Sequence, residues 1–292
     1  MEKIKFFSDS SCDICQADVE RNDIAIIPIQ VTHEGRTFRE YYDMTPQRYW
    51  KLLEESKEVP TTTQTTPAQV LDYYRRAHDE GYTHMLGIMI NAAGSGSYQS
   101  CLIAREMFYE EYGTDMVIEV LDSETYTYLY GRILLEACAM RDKGDRFADI
   151  VQVAKARIRR SEAVLGVYNL RHLKKSGRIS GAAAFVGEAL GLKPIMQVGW
   201  GQVGVVEKAR GEKNLVPRVL EVVRKRAVHP ESQTAVLLHG DLPEEKLAEI
   251  EKGIRALGFA DVTRNPIGIS VITNTGPMAF AVMYYGEQRP VD

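Results

Sequence analysis

Along the first half of the chain, short apolar runs alternate with stretches whose apolar positions recur every three to four residues. IKFFS (4 to 8), IAIIPIQV (24 to 31), HMLGIMI (84 to 90) and MVIEVLD (116 to 122) have the length and β-branched content of buried strands. Between them, TPQRYWKLLEES and TPAQVLDYYRRAHDEG each begin with threonine followed by proline. A hydroxyl cap and a proline at the first helical position open a helix. Gly81 and Gly113 stand where the helical patterns should end. Strands alternating with helices predict a parallel, doubly wound α/β sheet. Near residue 163 the pattern changes. AVLGVYN, KPIMQV, QVGVVEKA, QTAVLLH and ISVITN read as strands, mixed with the helices LVPRVLEVVRKRA and PEEKLAEIEKGIRALG. The expectation is therefore two domains, a parallel-sheet α/β domain over 1–162 and an α+β domain over 163–292, with Gly199-Trp200-Gly201 at the tip of a hairpin.

Composition narrows this only slightly. The 292 residues are 45% hydrophobic and 26% charged with a formal net charge of −4, an ordinary globular balance that offers no general attraction to nucleic acid or anionic lipid. The basic runs RIRR (157 to 160) and RHLKKSGR (171 to 178) read as solvated helix faces. No apolar window is long enough to span a bilayer, and the start MEKIKFF runs straight into a strand, so a cytoplasmic protein without stable membrane insertion is expected. Four cysteines make no disulfide framework. Cys12 and Cys15 form a lone CxxC, a weak redox signal. The six histidines show no metal-ligand spacing, so neither a metal nor a cofactor is expected.

GWGQVG (199 to 204) matches a dinucleotide-binding glycine pattern, but it is followed by a strand-like run instead of opening a helix, so it reads as a turn. Ser95 lies in AAGSGS without the flanking glycines of a nucleophile elbow. More distinctive is the hydroxyl density at the carboxyl ends of the predicted strands. PTTTQTTP (60 to 67), NAAGSGSYQS (91 to 100) and LDSETYT (121 to 127) each precede a helix. In an open parallel sheet ligands bind there, where helix N-termini and hydroxyls donate to an anion or polar head group.

These segments, with others in the same order, resemble the DegV family of bacterial fatty-acid-binding proteins over essentially the whole chain. SDSSCD (8 to 13) is similar to the family's DSTSD, PTTTQTTP to PxTSQPS, NAAGSGSYQS to SSxLSGTYQS, and Leu121-Asp122-Ser123 to its VDS. LRHLKKSGRIS (170 to 180), GLKPIMQV (191 to 198), EKARGEKN (207 to 214) and TNTGP (273 to 277) resemble later family segments. The resemblance implies a DegV-like fold with a long-chain fatty acid, such as palmitate, stearate or oleate, in a tunnel between the domains. Its carboxylate would be held by the hydroxyls of Thr62 and Ser95, with Thr63 and the amides of Gly96 and Ser97 close by. Arg178, Arg210 and the residue in the family histidine's place, Asn274, would lie near the head group or a partner's docking face. Some members present the acid to a separate fatty acid kinase, so the chain reads as a lipid carrier without catalytic residues of its own. The alternative is an enzyme, either a Ser95-dependent acyl hydrolase or a phosphoryl-transfer enzyme.

Five positions depart from the pattern: Asn274 replaces the histidine, Met278 replaces the glycine after proline, and Asn91, Ala92 and Gly94 replace Ser, Ser and Leu. An asparagine amide donates a hydrogen bond but carries no titratable proton, so acyl binding should survive this change better than phosphoryl transfer. Tunnel walls are expected from AAAFVGEALGL (182 to 192), KPIMQV and MAFAV (278 to 282).

Overall fold

The computed structural model describes residues 2–56, 58–176 and 191–288. Its first part runs β1 (Ile4–Asp9), α1 (Gln16–Asn22), β2 (Ile24–Ile27), β3 (Gln30–His33), β4 (Arg36–Arg39), α2 (Pro46–Glu55), β5 (Thr61–Thr63) and α3 (Pro67–Asp79). It continues with β6 (His84–Met89), α4 (Ser97–Tyr112), β7 (Val117–Asp122), α5 (Tyr128–Lys143) and α6 (Phe147–Ile158). Strands β2, β1, β6 and β7 form, in that order, a fully parallel sheet. Because side chains alternate along a strand, Phe6 and Phe7 point to opposite faces. Phe6 packs with Leu86 and Ile88 against Ile133, Leu134 and Ile150 of α5 and α6. Phe7 packs with Met85 and Met89 against Leu71, Tyr74 and Phe108 of α3 and α4. Both faces are thus covered, as the unbroken apolar strands predicted.

The caps read from the sequence are present. Thr45 and Thr66 accept from the backbone N–H groups of Arg48 and Gln69, each with proline in the first turn. The run IAIIPIQV is not one strand, however. Pro28 cannot donate to a ladder, and it separates β2 from β3, which leaves the parallel sheet to join β4 and β5 in a small antiparallel one. The segment PTTTQTTP contributes β5 to that sheet before its remainder leads into α3.

The chain then passes through β8 (Ser161–Val167), α7 (Arg171–Ser176), β9 (Leu192–Gly199), β10 (Gln202–Arg210), α8 (Leu215–Arg226), β11 (Thr234–His239), α9 (Glu244–Arg255), β12 (Asp261–Pro266), α10 (Ile269–Thr275) and β13 (Ala279–Tyr285). The six strands form a mixed sheet of order β10-β9-β8-β13-β11-β12. On one face, Val164, Ile195, Leu237 and Phe280 pack against α8 and α9. On the other, Leu165, Val198, Leu238 and Ala281 meet residues of α2 and α10 and Leu129 of α5. GWGQVG is a hairpin turn between β9 and β10, with Gly199, Trp200 and Gly201 all at positive φ.

One strand expectation is overturned. ISVITN, β-branched though it is, forms helix α10. Carboxylates receive the N–H groups at its start, the capping Gly268 donating to Asp13 at 2.9 Å and Ser270 to the buried Glu40 at 2.7 Å. Thr273 donates its hydroxyl back to the Ile269 carbonyl at 2.7 Å, while Ile269 and Ile272, one turn apart, enter the core. Burial and distant acceptors outweigh intrinsic β propensity here.

Candidate functional site

A cavity of about 390 Å³ lies where the carboxyl ends of the parallel strands meet the α2/α10 face of the mixed sheet. Its interior is aliphatic: Ile29, Ile90, Leu129, Leu165, Val198, Leu238 and Ala281 are among the walls. Thr62, Gln64, Ser95, Gly96, Ser270 and Asn274 supply polar groups. Among the described residues no charged side chain lines it. A mostly apolar pocket with a few convergent hydrogen-bonding groups is the usual form of a small-molecule site.

Thr62 reaches the cavity because it is the middle residue of β5, paired with Val31 of β3. Strand alternation turns its neighbour Thr63 outward. Thr63 is exposed and is no wall of this cavity. Ser95 and Gly96 are brought in by the loop between β6 and α4. Ser95 Oγ lies 3.0 Å from Ser97 Oγ and accepts from the Ser97 N–H at 3.3 Å. Ser97 itself is buried behind Ser95 and does not line the cavity. The Gly96 N–H donates to Gln64 Oε1 at 2.7 Å. Both amides expected to serve a ligand are therefore engaged within the protein.

Gln64 is the residue that sequence reasoning passed over. Its carboxamide lies flat on Gly96, so that a Cβ at that position would come within 2.6 Å of Gln64 Cδ. Oε1 is fixed by the Gly96 N–H, and Nε2 has no hydrogen-bonded protein acceptor among the described residues. The glutamine in PTTTQTTP was the only available signal, and its chemistry shows only once β5 and α4 are neighbours.

The altered loop positions have local partners. Asn91 Nδ2 donates to the Tyr126 hydroxyl and to the Gly201 carbonyl, both at 3.0 Å, joining the loop to the β9-β10 hairpin. Tyr126 fills the space beside Gly94, where a Cβ would stand 2.9 Å from Tyr126 Cε1. Asp122 accepts from the N–H groups of Ala92 and Glu124, at 3.1 and 2.9 Å, and so braces the same loop. Burial pushes its carboxyl above the usual range.

The SDSSCD segment works behind the cavity. Asp9, fully buried, accepts from the Ile90 N–H at 2.8 Å, the Tyr130 hydroxyl at 2.7 Å and the Ser11 N–H at 3.1 Å. Desolvation outweighs these bonds and raises its pKa to about 6. Burial, and then the nearby Glu40 carboxylate, push Asp13 well above its ordinary value, and burial raises Glu40 too. Ser10 donates to Glu40 at 2.6 Å, and the Ser11 and Ser270 hydroxyls are 2.6 Å apart. This segment positions α10, which brings Ser270 and Asn274 to the cavity. Asn274 donates to the Ser270 carbonyl at 2.8 Å.

Other expected site residues are elsewhere. Arg210 is exposed at the end of β10 and is not a cavity wall. Arg178 lies outside the described residues, as does most of AAAFVGEALGL. From KPIMQV and MAFAV only Val198 and Ala281 are walls. Ile195, Met196 and Phe280 are core. No histidine lines the cavity, so among the described residues Ser95 has a serine and no general base beside it. Cys12 is buried, its thiol pushed up by desolvation, and Cys15 is exposed. Neither has the depressed pKa of a redox thiol. No group of three or more metal-ligating side chains occurs among the described residues, and no helix among them is long and apolar enough to cross a membrane.

The architecture has counterparts in known proteins. A fatty-acid-binding DegV family protein from Thermus thermophilus superimposes with a TM-score of 0.86 at 27% identity, covering 98% of this chain and 100% of that one. A stearic-acid-binding protein from Eubacterium ventriosum superimposes with a TM-score of 0.86 at 25% identity, covering 98% of both chains. A DegV domain-containing protein of Clostridium acetobutylicum is 32% identical over 81% of this chain and 83% of its own length. The family model described as an uncharacterised protein of the DegV family matches residues 3–287, and with that extent of match the chain belongs to the DegV family.

Proposed function

We propose that the cavity holds one long-chain fatty acid, such as palmitate, stearate or oleate, between a first domain of residues 1–162 and a second of residues 163–292. The observation that carries this reading is the division of the cavity into an aliphatic interior and a neutral hydrogen-bonding end. Each buried methylene contributes about 0.8 kcal/mol, so a chain of roughly 14 offers on the order of 11 kcal/mol before ordering costs. The tail supplies affinity along Leu129, Leu165, Val198, Leu238 and Ala281. The hydroxyls of Thr62 and Ser95 orient the carboxylate, Ser97 holds Ser95, and Gly96 keeps Gln64 in place. With no cation in the described lining, neutral donors carry the head group.

The protein acts as a carrier in this reading, because among the described residues Ser95 has a serine and no general base beside it. The family resemblance extends the role to presenting the acid to a separate fatty acid kinase, a cytoplasmic task. Asn274 offers an amide where the family offers a histidine, which favours binding over transfer. The test is titration of the delipidated protein with a fluorescent fatty acid. Saturable one-to-one binding, displaced by palmitate and not by nucleotide, supports the proposal. Absence of saturation, or displacement by a nucleotide or sugar phosphate, refutes it.

A further inference from the structure

The basic run RIRR takes no part in the acyl cavity, and it is not simply a solvated helix face. Arg157 and Arg160 line a second, polar cavity of about 210 Å³ together with Arg132 of α5, Glu136, Thr234 and Tyr285. Each guanidinium is fixed from behind. Arg132 donates through Nε to Glu136 at 3.2 Å and through Nη1 to the Thr234 carbonyl at 2.8 Å. Arg157 Nε lies 3.0 Å from Glu136 Oε2, and Arg160 Nε donates to the Gly286 carbonyl at 3.3 Å. The Tyr285 ring is faced by Arg132 at 5.1 Å and Arg157 at 5.2 Å, and its hydroxyl donates to Glu136 at 3.2 Å.

Three arginines face a single carboxylate, which leaves an excess of two positive charges in a partly desolvated cleft. Among the described residues no protein acceptor is hydrogen-bonded to Nη2 of Arg132 or to either Nη of Arg157 and Arg160. Planar guanidiniums held by their inner edges present their outer N–H groups in the geometry that receives tetrahedral oxyanions. The cleft is separate from the acyl cavity. Thr234 and Tyr285 stand four residues from the acyl-cavity walls Leu238 and Ala281 on β11 and β13, about 13 Å of strand away.

We propose that this cleft binds a phosphate dianion, either free phosphate or the phosphate of a monoester. The anion would connect α5 and α6 to the ends of β11 and β13, satisfying the charge that Glu136 leaves over.

The test is calorimetry and ³¹P line broadening on the full chain with inorganic phosphate at constant ionic strength, and with glycerol phosphate in parallel. One saturable site is expected, competed by sulfate. It should weaken about tenfold in Arg160→Gln and further in Arg157→Gln combined with Arg160→Gln, while fatty-acid binding stays unchanged and reports an intact fold. Arg160→Lys, which keeps the charge and loses the fork, should lie between. Tighter binding of glycerol phosphate assigns a monoester, and tighter binding of inorganic phosphate assigns the free ion. Phosphate that fails to saturate the unmodified protein at millimolar concentration, or that binds the double variant equally well, overturns the proposal.

Discussion

Gly96→Ala isolates the packing of Gln64. The backbone at Gly96 has φ of −80° and ψ of 8°, which alanine adopts without strain, so any effect must come from the added methyl group. That methyl would come within 2.6 Å of Gln64 Cδ, where ordinary contact begins near 3.4 Å. The carboxamide must therefore withdraw by about 1 Å, which carries its 2.7 Å bond to the Gly96 N–H out of hydrogen-bonding range. Losing one such bond costs about 1 kcal/mol, and releasing Nε2 from the cavity edge adds a similar amount, so fatty-acid binding should weaken roughly 5- to 30-fold. Displacement of a fluorescent fatty acid measures this directly. The same assay on Gln64→Ala should give a similar loss, and the double variant should be no worse than either single one, because both remove the same interaction. Unchanged binding in Gly96→Ala, or losses that add in the double variant, would refute the reasoning.

Thr62→Val combined with Ser95→Ala should weaken palmitate binding by about tenfold or more while sparing hexadecanol relatively, since the hydroxyls serve the carboxylate; equal losses for both ligands in a competition assay would count against their assignment. Gly94→Leu should impair folding or binding through its collision with Tyr126, and Tyr126→Ala should restore either; a well-folded single variant binding normally, by circular dichroism and displacement, would contradict that packing. Asp9 has a pKa near 6 in the native protein against 3.8 when unperturbed, so the native state binds its proton more readily. Its contribution of roughly 3 kcal/mol is fully present below about pH 4 and is lost as pH rises through 6, and Asp13 and Glu40 act in the same direction. Denaturant unfolding of the delipidated protein should therefore show stability rising between pH 7 and pH 5, with a smaller rise in Asp9→Asn. An equal slope in that variant would remove Asp9 as the cause.

Much of the parallel half was legible because the strands of its parallel sheet are buried on both faces and two of its helices, α2 and α3, carry hydroxyl caps, signals that depend only on neighbouring residues. The reading failed where distant residues decide. ISVITN is helical because Asp13 and Glu40, more than two hundred residues away in sequence, receive its first N–H groups. Pro28 marked the end of β2, yet the antiparallel partnership of β3, β4 and β5 had no local signature. At the site, Thr62, Ser95, Gly96 and Asn274 do converge on one cavity. Thr63 does not, since its outward orientation follows from β5 being a strand. Gln64 stayed hidden because its role depends on packing against a glycine in another loop. Arg157 and Arg160 acquire their meaning only when α5 and β13 bring Arg132, Glu136 and Tyr285 beside them.

The most direct measurement is native mass spectrometry of the protein as purified, followed by denaturing extraction and identification of whatever is released. One long-chain fatty acid per chain is expected, reduced in occupancy by Thr62→Val with Ser95→Ala. A stoichiometric nucleotide, sugar phosphate or other ligand without an acyl tail in its place would contradict it.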